Sequence, residues 1–448
     1  MDRHFSRLYM DAKTQTSVAV GLDEASALIG LAAGLLFANG QTTQGVIGGV
    51  ERLGRSIGYS LRLYPSWGEL IVRIESVGQT NSRQIFVFEG PPAGVDMNKV
   101  TKTLEVLDEV FSRRLDVSGA ATALKDIARL APTSTLRFAT LAGAGAAALG
   151  VIFGSTHLIS LVLIALSAAA GAVLRRVIAA QQGSALAQVL FAGLLAGLVA
   201  GVVSAFVAVP DESLVALCPC MVLMPGPHLL NAALDFAHLR IALGQERLGF
   251  AALLTLLICI GLIAGLSLGR QSLSPPSPAT EVPLALDVLA AGVAVAAYGA
   301  FFSMPWRTLP IPVAIGMLAH AFRWVVLEWG ANAPLGALVA CLVVGTLATP
   351  IANRLNLPFA AFAFASVVSL IPGAYLFQMA AELMAVVDVG PNGSVQLLMA
   401  PFVNGATASA VLLAMALGLS LPKLFMERLA PTLAGLPKEQ GRFHRGAE

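Results

Sequence analysis

The sequence predicts an α-helical polytopic membrane protein: ten transmembrane helices as a 5+5 inverted repeat, behind a small cytosolic N-terminal α+β domain. Three observations lead there. Of 448 residues, 56% are hydrophobic and only 12% are charged, with a mean hydropathy of +0.78, whereas a soluble domain usually carries about 25% charged residues. Ten apolar stretches long enough to cross a bilayer follow one another from Leu136 onward. Two of these stretches carry an internal Pro-Gly at matching positions.

So little charge is tolerable where lipid, rather than water, meets most of the outer surface. A net charge of +2 without a Lys/Arg run argues against a nucleic-acid partner. Cys218, Cys220, Cys259 and Cys341 all lie in apolar stretches, which argues against a disulfide framework. Cys218-Pro-Cys220 lacks the second Cys pair of a zinc site and reads as small-residue packing. No metal or cofactor is implied. Met1 to Leu22 is polar and mixed in charge, without the apolar core of a secretory signal.

Residues 1–131 form the expected cytosolic domain. Ala25 to Gly58 reads as one or two helices, interrupted at Asn39-Gly40 and at Gly48-Gly49. Leu61 and Leu63 alternate with polar neighbours, Tyr64-Pro-Ser-Trp-Gly68 turns the chain, and Leu70, Val72 and Ile74 alternate again: a hairpin. Ile85 to Phe88 supplies a third strand. Val100, Leu104, Leu107, Val110 and Phe111 recur at helical spacing, and Ser118 caps a short helix ending at Leu130. The domain reads as regulatory or assembling.

A membrane helix needs about 20 apolar residues. The first half, 132–271, offers spans at 136–153, 158–174, 186–209, 213–242 and 248–269. A Pro-rich linker, 272–283, follows. The second half, 284–421, offers 284–303, 309–327, 333–352, 357–387 and 394–421, and a cytosolic tail, 422–448, closes the chain. With the N-terminal domain in the cytosol, the inward ends carry Arg137, Arg175, Arg176, Arg240, Arg247, Arg307, Arg354, Lys423 and Arg428. The outward loops carry Arg270 alone against Asp211, Glu212, Glu281 and Asp388, which is the positive-inside bias. Both termini are then cytoplasmic in a multi-pass protein of the cell inner membrane.

The interval from Leu136 to Pro225 equals that from Leu284 to Pro372 to within one residue. Laid over one another from Pro225-Gly226 and Pro372-Gly373, Asn231 meets Gln378 and Asp235 meets Glu382. Because five is odd, the second half enters from the opposite side, a plan common among secondary transporters. Proline removes an N–H and glycine permits unusual backbone angles, so each Pro-Gly is expected to break its helix near the midplane. The new helix N-terminus would favour a carboxylate. A simple proline kink is the bland alternative. Substrate-binding candidates are therefore Pro225, Gly226, His228, Asn231, Pro372, Gly373, Tyr375 and Gln378. His228, Asp235, Arg323 and Glu382 are candidates for coupling or gating, with a neutral core histidine and structural ion pairs as their alternatives. Glu328 or Glu382 is the expected partner of Arg323, which shares a face with His320. Gly143, Gly145 and Gly150 read as close helix packing.

Leu223-Met-Pro-Gly-Pro-His-Leu-Leu-Asn-Ala-Ala-Leu-Asp235 through Gly244-Gln-Glu-Arg247 is similar to a pattern of the threonine/serine exporter family. Phe301-Phe-Ser-Met-Pro-Trp-Arg307 and Val368-Ser-Leu-Ile-Pro-Gly-Ala-Tyr375 resemble that family's second component, so the chain looks like a fused form, from about residue 24 to residue 421. The resemblance implies proton-driven export of small neutral amino acids from the cytoplasm. One feature departs from the family: Gly40-Gln-Thr-Thr43 is followed by Gln44-Gly45-Val46-Ile47, without the family's Arg-x-Glu pair. The expected partners are an amino acid, a proton and membrane lipid, with a homo-oligomer left open. A channel or scaffold subunit is the competing reading. An enzyme is disfavoured, because the six histidines are scattered and no HExxH occurs.

Overall fold

A computed structural model describes residues 20–76, 83–90, 94–206, 211–271, 273, 282–355, 357–390 and 393–429. The proposed linker and tail lie largely outside these residues. The chain divides into two compact units: the first ends at Leu130, and the second comprises Ala131 onward together with the short segments Gly40–Thr42 and Gly94–Asn98.

The first unit packs helices α1 (Leu22–Ala38), α2 (Thr43–Ser56), α3 (Met97–Phe111) and α4 (Val117–Ala128) with strands β1 (Tyr59–Pro65), β2 (Gly68–Ser76) and β3 (Arg83–Gly90). The antiparallel sheet has the order β1-β2-β3, with Leu61 opposite Ile74 and Leu63 opposite Val72. Their alternation puts Leu61, Leu63, Leu70, Val72 and Ile74 in the core. Helix α1 covers the sheet and touches α2 and α4. The helix break falls at Asn39-Gly40, where Gly40 has φ +92, but Gly48-Gly49 stays inside α2. Gly49 there faces Leu36, Leu104 and Leu107 at van der Waals distance, so packing offsets the weak helix propensity of glycine. The cap of α4 is Asp116, whose carboxylate accepts from the Gly119 amide at 3.1 Å, rather than Ser118.

The second unit is helical throughout its described residues. Its first set is α5 (Thr135–Ile152), α6 (Leu158–Ala180), α7 (Ala185–Phe206), α8 (Glu212–Met221), α9 (Gly226–Ala237) and α10 (Ile241–Leu268). The next set is α11 (Leu284–Phe301), α12 (Pro310–Glu328), α13 (Ala333–Arg354), α14 (Phe359–Val367), α15 (Gly373–Val389) and α16 (Val395–Leu429). A short 3₁₀ turn, Val368–Leu370, extends α14. Eight of these helices are long and apolar enough to span a bilayer. Helices α8 and α9 form a bent pair at 62°, and α14 and α15 another at 49°; counted as one span each, they bring the number to ten. The spans run further than hydropathy alone suggested: α6 continues to Ala180, and α16 passes Pro422 to reach Leu429. The chain is a multi-pass membrane protein.

In the first set α5 packs on α6, α6 on α7, α7 along α10, and α9 on α10, while α8 touches α5, α6 and α7. In the second, α11 packs on α12, α12 on α13, α13 along α16, and α15 on α16, while α14 touches α11, α12 and α13. The sets meet through α5 and α11, α9 and α16, and α10 and α15. Small residues set the closest approaches. Gly193, Gly197 and Gly201 of α7 face Gly261 and Gly265 of α10 and Gly269 at its end so closely that a Cβ on Gly197 would overlie the Leu262 carbonyl. One on Gly265 would overlie the Leu194 carbonyl. Gly345 of α13 meets the Gly418 carbonyl of α16 in the same manner. Gly265→Leu is therefore expected to cost about 3 kcal/mol or more by overpacking. Lower thermal stability of the detergent-purified protein checks it, with Gly249→Leu, where nothing lies within 4 Å, as the neutral comparison.

Candidate functional site

Inside a bilayer a proline that interrupts a helix strands backbone groups that lipid cannot satisfy. Both interruptions solve this in the same way. Pro225 has φ −77 and ψ 53, Pro372 has φ −77 and ψ 46, and each sits at the centre of an inverse γ-turn. The Gly226 amide donates to the Met224 carbonyl at 2.8 Å, and the Gly373 amide to the Ile371 carbonyl at 2.7 Å. Neither glycine has a positive φ, so conformational freedom is not what the position requires. Space is. A Cβ on Gly226 would collide with Ile371 Cδ1, and one on Gly373 would lie 3.3 Å from the Cγ atoms of Met221 and Met224. The two breaks therefore abut, each glycine receiving side chains of the opposite break, and all four Pro and Gly residues are buried.

The breaks differ in the donors they leave. In the first turn of α9, the Gly226 amide is used, Pro227 has none, and the His228 amide donates to the Pro225 carbonyl at 3.0 Å. That terminus is a poor seat for a carboxylate, contrary to the symmetrical expectation. In the first turn of α15, the amides of Ala374 and Tyr375 have no backbone partner among the described residues.

The other predicted residues are dispersed around this centre. His228 turns its ring edge to Phe250 of α10, at 5.1 Å between centroids. Asn231 is buried, and its Oδ1 has no hydrogen-bond partner among the described residues. Asp235 is buried in ion pairs with Arg247 at 3.4 Å and Arg240 at 3.5 Å. Tyr375 and Gln378 are half-buried on α15. Glu382 accepts from Asn404 Nδ2 with both oxygens, at 2.9 and 2.8 Å. It is thus engaged with α16. The acid within electrostatic reach of Arg323 is Asp287, with Tyr375 also close, in place of the expected Glu328 or Glu382.

Two groupings escaped the sequence reading. Asp287 binds His320, Nδ1 to Oδ2 at 3.0 Å, and His320 Nε2 lies 2.8 Å from Ser369 Oγ, beside the second break. The second grouping lines a small cavity of about 10 Å³ between α5, α6, α7 and the end of α8, reaching Pro219, Val222 and Leu223 just before the first break. Arg175 and Ser167 enter it from α6, and neither Arg175 Nε nor Ser167 Oγ has a hydrogen-bond partner among the described residues. The Arg175 guanidinium stands 5.7 Å from the rings of both Phe138 and Phe301, which stack at 4.5 Å. Arg176 lies over Phe138 and Arg137 over Trp306, at 4.4 and 4.2 Å. Read along the chain these arginines signalled only topology; their aromatic partners come from other helices and from the turn before α12.

Residues 27–269 match one threonine/serine exporter family model, ThrE, and residues 287–425 match a second, described as Threonine/Serine exporter, ThrE. No solved structure matches the chain. The first match ends just before the region where the Pro-rich segment lies, and the second begins with α11. With both models matched in order across most of its length, the chain belongs to the threonine/serine exporter family and carries the two parts of that family in a single polypeptide.

Proposed function

We propose that this protein is a secondary transporter that exports threonine, serine or a similar small neutral amino acid from the cytoplasm, coupled to protons, with its substrate site at the paired breaks. The observation that carries the reading is the abutment of two bent spans with the same local turn, Pro225-Gly226 and Pro372-Gly373, at one buried place. Paired discontinuous helices at a repeat interface are where such carriers bind substrate. The helix packing supports an inverted 5+5 repeat, since each contact of the first set has its counterpart in the second, and α9 with α16 answers α15 with α10. The positive-inside bias supports a cytoplasmic position for both termini, with the cell inner membrane as the location.

In this reading Arg175, near the cytoplasmic end of α6, attracts the substrate's carboxylate towards the breaks. The amides of Ala374 and Tyr375 then receive it at the second break. Asn231 Oδ1, buried and unpartnered, offers an acceptor to the ammonium or the hydroxyl. Gln378 and His228 line the approach, while Asp235 with Arg247 and Glu382 with Asn404 hold α9 to α10 and α15 to α16 and act as gating latches.

Three outcomes test this. Proteoliposomes loaded with labelled threonine or serine should release it when a pH gradient is imposed, with saturation; no movement of any small amino acid overturns the proposal. Gly226→Leu combined with Gly373→Leu should abolish transport while the protein still inserts, because the side chains would fill the space each break gives the other. Arg175→Gln should raise the KM for transport about tenfold or more, the loss of one charge-assisted hydrogen bond, with a smaller effect on the maximal rate.

A further inference from the structure

Behind the second break lies a chain of three polar side chains from three elements. Asp287 is in the first turn of α11, His320 is past the middle of α12, and Ser369 is in the 3₁₀ turn three residues before Pro372. They are 2%, 0% and 5% exposed, respectively. A carboxylate only accepts hydrogen bonds, so the proton on His320 sits on Nδ1 and is donated to Asp287 Oδ2. In the neutral ring Nε2 is then an acceptor, and the Ser369 hydroxyl donates to it across 2.8 Å.

One added proton changes this arrangement in a defined way. The imidazolium donates from both nitrogens, so Ser369 switches from donor to acceptor and its own hydroxyl hydrogen must turn to a new partner at the break. The charge changes as well. Asp287, neutral His320 and Arg323 sum to zero, and the protonated set carries one buried positive charge. A buried charge without a counter-ion is expensive, so the protonated set favours an arrangement of the break that supplies water or an acceptor. The groups facing His320 are few. Helix α11 brings Asp287, with Tyr298 further along donating to the Met221 carbonyl. Helix α12 itself brings Arg323, and Glu328 at its exposed end, while α14 contains no titratable residue. Of the titratable residues of α13, Cys341 packs on Gly418 of α16 and Arg354 ends the helix. Tyr375 approaches Arg323 from α15.

We propose that Asp287, His320 and Ser369 form the proton-binding site of this carrier, and that the reversal of the Ser369 hydrogen bond transmits its occupancy to the Pro372-Gly373 break. The inference rests on the transporter reading above and names the residues of its coupling. One proton is taken from water by the Asp287–His320 pair and returned to water, and no other bond forms or breaks. Under the orientation proposed above, Asp287 lies near the outward end of its helix and Ser369 near the midplane, so the chain leads from the acidic side to the break. The Trp324 indole, donating to the Val282 carbonyl at 2.8 Å, holds the start of α11 beside α12.

Proteoliposomes containing wild type, Asp287→Asn and His320→Gln separate the possibilities. Counterflow of labelled threonine or serine without a pH gradient reports substrate translocation, whereas uphill movement under a gradient and alkalinisation or acidification of an entrapped dye report coupling. Both variants should keep counterflow and lose gradient-driven movement by about tenfold or more, the usual size of a linkage term, together with the dye signal. A variant that still moves substrate uphill with a wild-type dye signal overturns the inference while the transporter reading stands. Absence of counterflow in the wild type overturns both. Should neither variant yield a monodisperse protein, Ser369→Ala decides, because it leaves the Asp287–His320 contact in place: its efflux should shift along the pH axis, and an unmoved pH profile overturns the inference.

Discussion

A peptide group within a bilayer must find its hydrogen-bond partner inside the protein, and this constraint governs where the transmembrane unit can depart from a helix. Breaking a span at its centre is tolerable only if the loosened turn is closed locally and covered by protein. Here both conditions are met by the same device used twice. Each proline centres a γ-turn that satisfies the following glycine amide, and each glycine is covered by side chains from the opposite break. Neither break could lie open to lipid alone. The pairing is therefore what permits an interrupted backbone at that depth, and the rest of the helix packing, with its glycine-lined approaches of α7 to α10 and α13 to α16, holds the two together.

Ionisable groups obey a related rule, because an unpaired charge away from water is costly. Asp235 is held by Arg247 and Arg240, Glu382 by Asn404, and Asp287 by His320. These pairs occupy different places and use different elements. Asp235 and Glu382 occupy equal offsets from their breaks, yet one is locked by an arginine on the following helix and the other by a neutral amide. An arginine clamp is hard to open without stranding two charges, whereas an Asn–Glu contact can be exchanged for water at little cost. The two contacts are thus unequal in strength even though the sequence spacing is the same.

Spans and breaks were legible because each is written locally. A run of apolar residues marks a membrane helix whichever neighbour it meets, and Pro-Gly interrupts a helix by its own chemistry. Partners are not written locally. Asp287 lies 33 residues from His320, within a predominantly apolar run, and looks like an ordinary acid in a first helical turn until α11 and α12 are laid side by side. Helices that are apolar on every face carry no register, so the sequence could not say which acid would face Arg323. The glycine-to-glycine contact of α7 with α10 was within reach, since Gly193, Gly197 and Gly201 and Gly261, Gly265 and Gly269 recur every four residues. In the N-terminal domain alternation placed the three strands, but Gly48-Gly49 misled: two glycines suggest a break, and packing of Gly49 against three leucines overrides them.

The two breaks share a backbone and diverge in chemistry. Pro227 lacks the amide that its counterpart, Ala374, retains, and the His228 amide is spent on the Pro225 carbonyl while that of Tyr375 has no backbone partner, so among the described residues the first break has no unspent donor in its opening turn and the second has two. A carboxylate seeking a helix terminus has one choice. The first half compensates with a side chain, the Arg175 guanidinium in the cavity that ends at Pro219, Val222 and Leu223. The second half adds His320 and Asp287 behind its donors. With the fixed cation beside one break and the open amides and the His320–Asp287 pair beside the other, the two breaks are not interchangeable. Such inequality is what a carrier needs if filling the site from one face is to differ from emptying it at the other, because two chemically identical breaks would respond alike to a substrate and to a proton.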